Sequence, residues 1–400
     1  MTTVERGGAA IGSRGWWRAG MALAVLGGAD AVAQAVRGWR FVEHTDYVAF
    51  ATAGRVLNAG SRCVYCLPTE ARAEIGLLGH PPDNGVIPYA NPPLAAELLR
   101  PVAALPLSTG AALFLTVSLL AVVVAALLLS RLLPSLPPAR RVLIAACAVT
   151  VAPGLAAFTY IQWDPLLVLA AAAAVVLLGR GDRLAAGAVL SLLLVKPQLA
   201  WLLVPALLVA GHRRILVGLL LGAGVWVAST LAIVGAGGVG EWYRSNVSMD
   251  VGDSGKTVGV PGLIVQLTGH TGVAFPVAVI CGLGAVTLLW RLRSRLRADP
   301  ALAVATGLAL SLLAAPHAFA TDLMLLAPLV VLLARRRPEA AIAASAAVLV
   351  ADLLEAASPG AATHALALVV VGGAVAAALR RPRVHVGAVR GAPGTLVGSA

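Results

Sequence analysis

Acidic residues are scarce in this chain, 18 in 400 against 30 lysines and arginines. Charge of either sign makes up 12%, where a soluble domain carries about 25%. That shortage excludes an ordinary soluble enzyme. Hydrophobic residues make up 59% and recur in long runs along the whole sequence, which excludes a soluble domain on a single anchor. The chain reads as an all-α polytopic membrane protein. Aromatic residues are also few, at 5%, so no base-stacking platform stands out. The net charge of +12 collects in short loops between apolar runs, which marks membrane topology and not a nucleic-acid partner. Cysteine is limited to four residues, two of them in "CVYC" (Cys63, Cys66). That pair fits an extracytoplasmic disulfide and two free thiols equally well, and it lacks the two further ligands a zinc site needs. No metal is expected.

The first apolar run, "AGMALAVLGGADAVAQAV", is too long and too weakly cleavable for a signal peptide, and it contains Asp30 and Gln34. It reads as a retained span. Apolar windows fall at about 19–37, 110–132, 141–158, 163–179, 183–195, 198–211, 214–235, 272–292, 299–315, 319–334, 338–356 and 361–380. These are too long for barrel strands, and helices satisfy their own backbone in lipid. About twelve spans are expected, with a range of 10–13. With twelve, the stretches "GSRGWWR", "RLLPSLPPARR", "GRGDR", "GHRR", "WRLRSRLR", "ARRR" and "LRRPR" all share one side. The positive-inside rule makes that side cytoplasmic. Residues 1–18 and 381–400 are then cytoplasmic tails, the second one disordered. A membrane domain over 19–380 carries two large external loops, 38–109 and 236–271.

Windows 183–195 and 198–211 are too short to cross unaided. Twelve residues make about 18 Å of helix against a hydrocarbon core of about 30 Å. The pair is expected to form a broken hairpin with "VKPQ" (195–198) at its tip, because Pro197 cannot continue the helical bonding. Irregular backbone at that depth needs protein or a wet cavity beside it, so a vestibule open to the outside is expected.

Strong polar groups gather on that external side. They are Glu43, His44 and Asp46 after the first span, "IPYANPP" with Tyr89 and Asn91, and "YIQWDPL" with Gln162 and Asp164. Lys196 and Gln198 stand at the hairpin tip, "EWYRSNVSMD" begins at Glu241, and "APHAFATDL" carries His317 and Asp322. Ionisable groups near membrane depth are costly and tend to serve function. Each also has a structural reading. Asp46 would serve as a cap, Lys196 would snorkel, Asp164–Pro165 would start a helix, and Tyr89 and Asn91 would shape a Pro-rich turn. Trp242 and Tyr243 suit interfacial anchoring and ring stacking equally. A helix from Val48 to Ala59 is read as amphipathic and lying along the membrane surface with Asp46 at its head. One strong carboxylate among cations suits transfer from a phosphorylated donor: the carboxylate takes a hydroxyl proton while cations hold the phosphate. A transporter or lipid flippase would instead bury its carboxylate mid-span and show inverted repeats, and no clear internal repeat is present.

The ordered blocks "HTDYVAFATAGRVLNAGSRCVY", "IPYANPPLAAELLRPVAALP", "FTYIQWDPLLVLAAAAAVVL", "LLLVKPQLAWLLVPALL" and "LLAAPHAFATDLMLLAP" resemble glycosyltransferase family 87, over roughly residues 15–380. The resemblance implies a GT-C architecture and a polyprenol-phosphate-mannose-dependent α-mannosyltransferase, mostly found in actinobacteria. It implies an outward-facing active site in the plasma membrane, with Asp46 as general base and Lys196, His317 and Arg55 on the donor phosphate. Tyr89, Asn91 and Asp322 are implied as further substrate contacts, and His44, Gln162, Asp164 and Gln198 are expected to join them as polar groups on the same external side. Ala315 stands where serine is commoner in the family. The resemblance further implies a polyprenyl-phosphate mannose donor, an envelope glycolipid or glycan acceptor, lipid around the spans, no metal or other cofactor, and a monomer. An arabinosyl or other sugar transferase with a polyprenyl-phosphate donor would share the base and the phosphate contacts.

Overall fold

The computed structural model describes residues 5–83, 85–150, 155–253 and 257–335, and among them every element is helical. Helix α1 (Glu5–Arg40) leads through a 3-10 turn (Val42–His44) into α2 (Tyr47–Asn58), α3 (Leu67–Leu78) and α4 (Pro93–Ala103). Then come α5 (Leu107–Ser130), α6 (Pro138–Thr150), α7 (Ala156–Tyr160) and α8 (Asp164–Gly179). Next is α9 (Arg183–Leu190), continued by 3-10 turns over Ser191–Val195 and Pro197–Leu199, and then α10 (Leu203–Ala210) and α11 (Arg213–Asp253). The last described elements are α12 (Val260–Thr268), α13 (Ala274–Ala298), α14 (Pro300–Ala314), a 3-10 segment (Ala320–Leu326) and α15 (Ala327–Ala334).

Against the expected twelve spans, four helical segments among the described residues are long and apolar enough to cross a membrane: Trp17–Arg40, Leu107–Ser130, Arg213–Val247 and Thr271–Ala298. Five shorter apolar helical stretches accompany them. The windows 338–356 and 361–380 and the tail 381–400 lie outside the described residues. The short stretches are more interior than the long ones. Eleven of the sixteen residues of α8 and thirteen of the fifteen of α14 are buried, whereas α1, α11 and α13 leave broad apolar faces exposed, as lipid-facing helices do. Polar residues inside spans find partners: Gln34 of α1 donates to Asp30 at 3.4 Å and accepts from the Thr159 hydroxyl of α7.

The hairpin breaks where Pro197 requires it, with Lys196 in a non-helical conformation between two 3-10 turns. Helix α9 packs on α8 and α11, while α10 packs on α13 and α14. The α9–α11 contact depends on "GLLLG" (218–222), which presents Gly218 to Gly187 and Gly222, one turn on, to Ser191. A side chain at Gly218 would run into the Leu184 carbonyl, and one at Gly222 into Ser191. Small residues at this spacing let two helix backbones touch in lipid.

Both expected loops contain helices. Helix α2 forms where expected, and ten of its twelve residues are buried, between α3, α4 and α5. Its polar residues are too few to hold a wet face, and its small residues, Ala49, Ala51, Ala53 and Gly54, admit neighbouring helices. In the second loop, the helix is interrupted at Gly235, whose φ of 71° and ψ of 179° are non-helical and accessible to glycine, so the first part of α11 ends where expected and a second helix continues to Asp253.

Gly218→Leu should therefore cost about 1–3 kcal/mol by overpacking the α9–α11 seam. Thermal unfolding of the purified protein in detergent reads this directly, and an unchanged melting temperature would contradict the seam.

Candidate active site

A cavity of about 490 Å³ lies where three interruptions in the helices meet. The interruptions are the α7–α8 turn (160–164), the α9–α10 tip (195–198) and the α14–α15 connection (315–322). Asp46, the 87–91 segment and residues 242–247 of α11 complete its walls.

Asp46 stands at the N-terminus of α2, half-buried and lining the cavity. Its backbone N–H donates to the Tyr160 carbonyl at 3.2 Å, and the Gln162 amide donates to its Oδ2. Both contacts come from one turn, at whose centre Ile161 adopts φ 55°, ψ 57°. Left-handed backbone at a β-branched residue costs on the order of 1–3 kcal/mol. Here that conformation aims the carbonyl before it and the side chain after it at the same aspartate.

Lys196 faces the cavity from the hairpin tip, with its ammonium 2.8 Å from Asp164 Oδ2 and 2.8 Å from Asp322 Oδ1. All three side chains are buried. Asp322 also accepts the Phe319 N–H at 2.7 Å, which closes the turn carrying His317. The His317 ring packs edge-on to Phe319, centroids 4.6 Å apart. One cation and two carboxylates thus join all three interruptions at the cavity floor.

The 87–91 segment is held from both sides. From behind, Glu70 of α3 accepts the Tyr89 N–H at 3.0 Å, and Glu74, one turn on, accepts the Ile87 N–H at 3.2 Å. Tyr65 donates to the Asn91 carbonyl at 2.7 Å. In front, the Ala90 carbonyl accepts from Trp242 at 2.7 Å and from Asn246 at 3.1 Å, both on α11. The Asn91 amide donates to the Val195 carbonyl at 3.0 Å, tying this wall to the hairpin tip beside Lys196. Cys63 and Cys66 are joined in a disulfide just before α3, and Cys66 Sγ lies 3.1 Å from Glu241 Oε2.

Of the residues singled out by sequence, Asp46, Asn91, Gln162, Lys196, Gln198, His317 and Asp322 line the cavity. Asp164 does not; it is wholly buried behind Lys196. Arg55 is a correction. Nine residues after Asp46, it projects from about the opposite side of α2. Its guanidinium donates to the Ala103 and Leu105 carbonyls at 3.2 and 3.4 Å, at the C-terminal end of α4. Tyr89 is a second correction. It is turned inward at 1% exposure, stacks on Tyr65 with centroids 5.8 Å apart, and donates to the Pro92 carbonyl. His44 is a third. It sits exposed on the 3-10 turn and does not line the cavity, while neighbouring Glu43 pairs with His80 at 3.4 Å. Glu70 and Glu74 were missed. The available signal was "TEARAEIGLL", two acids one turn apart on the apolar stripe of a helix in an acid-poor chain.

Residues 89–316, more than half the chain, match the family model described as Glycosyltransferase family 87. Nothing among the curated proteins or the solved structures matches the chain. The matched stretch takes in the 89–91 wall, Gln162, Asp164, Lys196 and Gln198; Asp46 precedes it, and His317 follows it directly.

Two outcomes follow from this geometry. Burial pushes the Glu70 carboxyl up to about 7, with Glu74 adding to the shift and the Tyr89 N–H opposing it. Because the folded state holds this proton above the free-glutamate value of 4.5, its contribution to stability is full below about pH 4.5. That contribution is lost as the pH rises to about 7. Melting temperatures in detergent should fall across this interval and fall less in Glu70→Gln; an identical slope would clear Glu70. Separately, Lys196→Met strands two buried carboxylates and should cost about 3–5 kcal/mol, while Lys196→Met/Asp164→Asn/Asp322→Asn should recover part of the loss. A Lys196→Met protein as stable as the wild type would refute the cluster's role.

Proposed function

Because the chain belongs to glycosyltransferase family 87, we propose that it transfers mannose from polyprenyl-phosphate mannose to a hydroxyl of a cell-envelope glycolipid or polysaccharide, with the cavity facing the extracytoplasmic side. The observation that carries this reading is the oriented Asp46 carboxylate at the edge of a cavity whose floor holds Lys196 and whose rim holds His317. Family membership does not favour a transporter. The concentration of polar groups at one end of the short helices also suits chemistry at a membrane face.

In the proposed reaction Asp46 takes the proton of the acceptor hydroxyl, and Gln162 fixes the carboxylate's direction. The hydroxyl oxygen bonds to C1 of the sugar as the C1–O bond to phosphate breaks on the opposite face. A β-linked donor then yields an α-linked product and polyprenyl phosphate leaves. Lys196 has three N–H donors, two of them committed to Asp164 and Asp322, so one remains for the departing phosphate. His317 on the rim supplies a further hydrogen bond to the phosphate. No metal enters this scheme. The prenyl chain lies in lipid alongside the spans, and the chain acts as a monomer.

The test is transfer of radiolabel from polyprenyl-phosphate mannose to a panel of envelope glycolipids and glycans by the purified protein. Asp46→Asn should lower the rate by about 10²–10⁴-fold. Full activity in that variant would remove the assigned base. Transfer only from an arabinosyl donor would change the sugar and leave the base in place.

A further inference from the structure

The wall of the cavity formed by α11 plays no part in the chemistry above. Its lining residues are Trp242, Tyr243, Asn246 and Val247, spaced so that they share one face of the helix. The bend at Gly235 separates this outer segment from the membrane-crossing part of the helix. The Trp242 N–H is committed to the Ala90 carbonyl, so the indole is fixed and offers a ligand its ring. The Asn246 amide nitrogen donates to both Ala90 and Trp242 carbonyls, so the group it has left for a ligand is its oxygen. Tyr243 lines the cavity yet is 68% exposed, an aromatic face with a polar tip. Arg244, the one cation in this stretch, does not line the cavity.

An aromatic face, a hydroxyl and an amide acceptor, with no cation, are the groups that hold an uncharged sugar ring. The C–H faces of the ring lie on the aromatics and its hydroxyls bond to the polar atoms. They do not suit a phosphate or carboxylate, which would want arginine or lysine. We propose that the Trp242–Val247 face of α11 is the binding platform for a neutral sugar unit of the acceptor, holding the ring whose hydroxyl Asp46 deprotonates. This rests on the reading of Asp46 as the base. It adds that the acceptor presents a neutral glycan here and not a charged headgroup. It also gives the double hydrogen bond at Ala90 a purpose: the same contacts that pin the 87–91 wall set the register of the platform above it.

The experiment is ligand-observed NMR with the full chain in lipid nanodiscs. The probes are methyl α-mannobioside, a methyl arabinofuranosyl disaccharide and myo-inositol phosphate. At least one neutral glycoside should bind, Tyr243→Ala should weaken it about ten-fold or more, and Tyr243→Phe should retain most of the affinity. Binding of no neutral glycoside by the wild type would overturn the proposal, as would undiminished binding in Tyr243→Ala. Preferential, Tyr243-dependent binding of the inositol phosphate would overturn it too. The radiolabel assay on Asp46→Asn is read independently. Its failure would remove the base and leave a Tyr243-dependent sugar site standing, whereas loss of the sugar site would leave the base untouched.

Discussion

The ion cluster of Lys196 with Asp164 and Asp322 is the constraint on which the site depends. Taking three charges out of water costs several kcal/mol each, and close mutual contact recovers that cost only where every partner is in place. The three residues come from three separate interruptions in helices that are otherwise nearly all apolar. Each interruption frees backbone groups that need partners in place of the helical ones. The cluster therefore selects one mutual arrangement of α8, the α9–α10 hairpin and the α14–α15 connection. The cavity is the space that arrangement leaves.

Much of this was legible because the chain is so poor in polar residues. Where acids number 18, a Lys-Pro-Gln between two short apolar runs or a Pro-His before an Asp has few neutral explanations. Proline marked where helices stop, and the shortness of the runs on either side of 195–198 marked where they turn back. These are local signals, and the structure places the polar residues they flag around one cavity. The helices with lipid-facing sides were legible in the same way, from unbroken apolar length.

What was not legible is direction. Arg55 and Tyr89 lie in the right segments and point the wrong way. Arg55 does so because nine positions along a helix is two and a half turns. Tyr89 does so because it alone of residues 87–91 turns into the core, while Ile87, Pro88, Ala90 and Asn91 line the cavity. Helix α2 was legible as a helix, but its burial was not: a helix of small residues is covered by its neighbours whatever its own periodicity. Glu70 and Glu74 were hidden because their function is to bond backbone N–H groups, and backbone donors leave no trace in a sequence.

The match to the family stops short of the aspartate that the proposed chemistry needs most, since Asp46 precedes residue 89. The structure shows how a residue outside the matched stretch is nonetheless tied to it. Ile161 takes a left-handed backbone that a β-branched residue adopts only under compulsion, and in doing so gives its turn two contacts to Asp46. Three residues after Ile161 is Asp164, which is locked to Lys196. The path from the aspartate at the rim to the cation on the floor is therefore one short turn of chain, strained at its centre and hydrogen-bonded at both ends. The contacts at the two ends of that turn, to Asp46 and through Asp164 to Lys196, hold the groups proposed as base and phosphate anchor in register across the cavity.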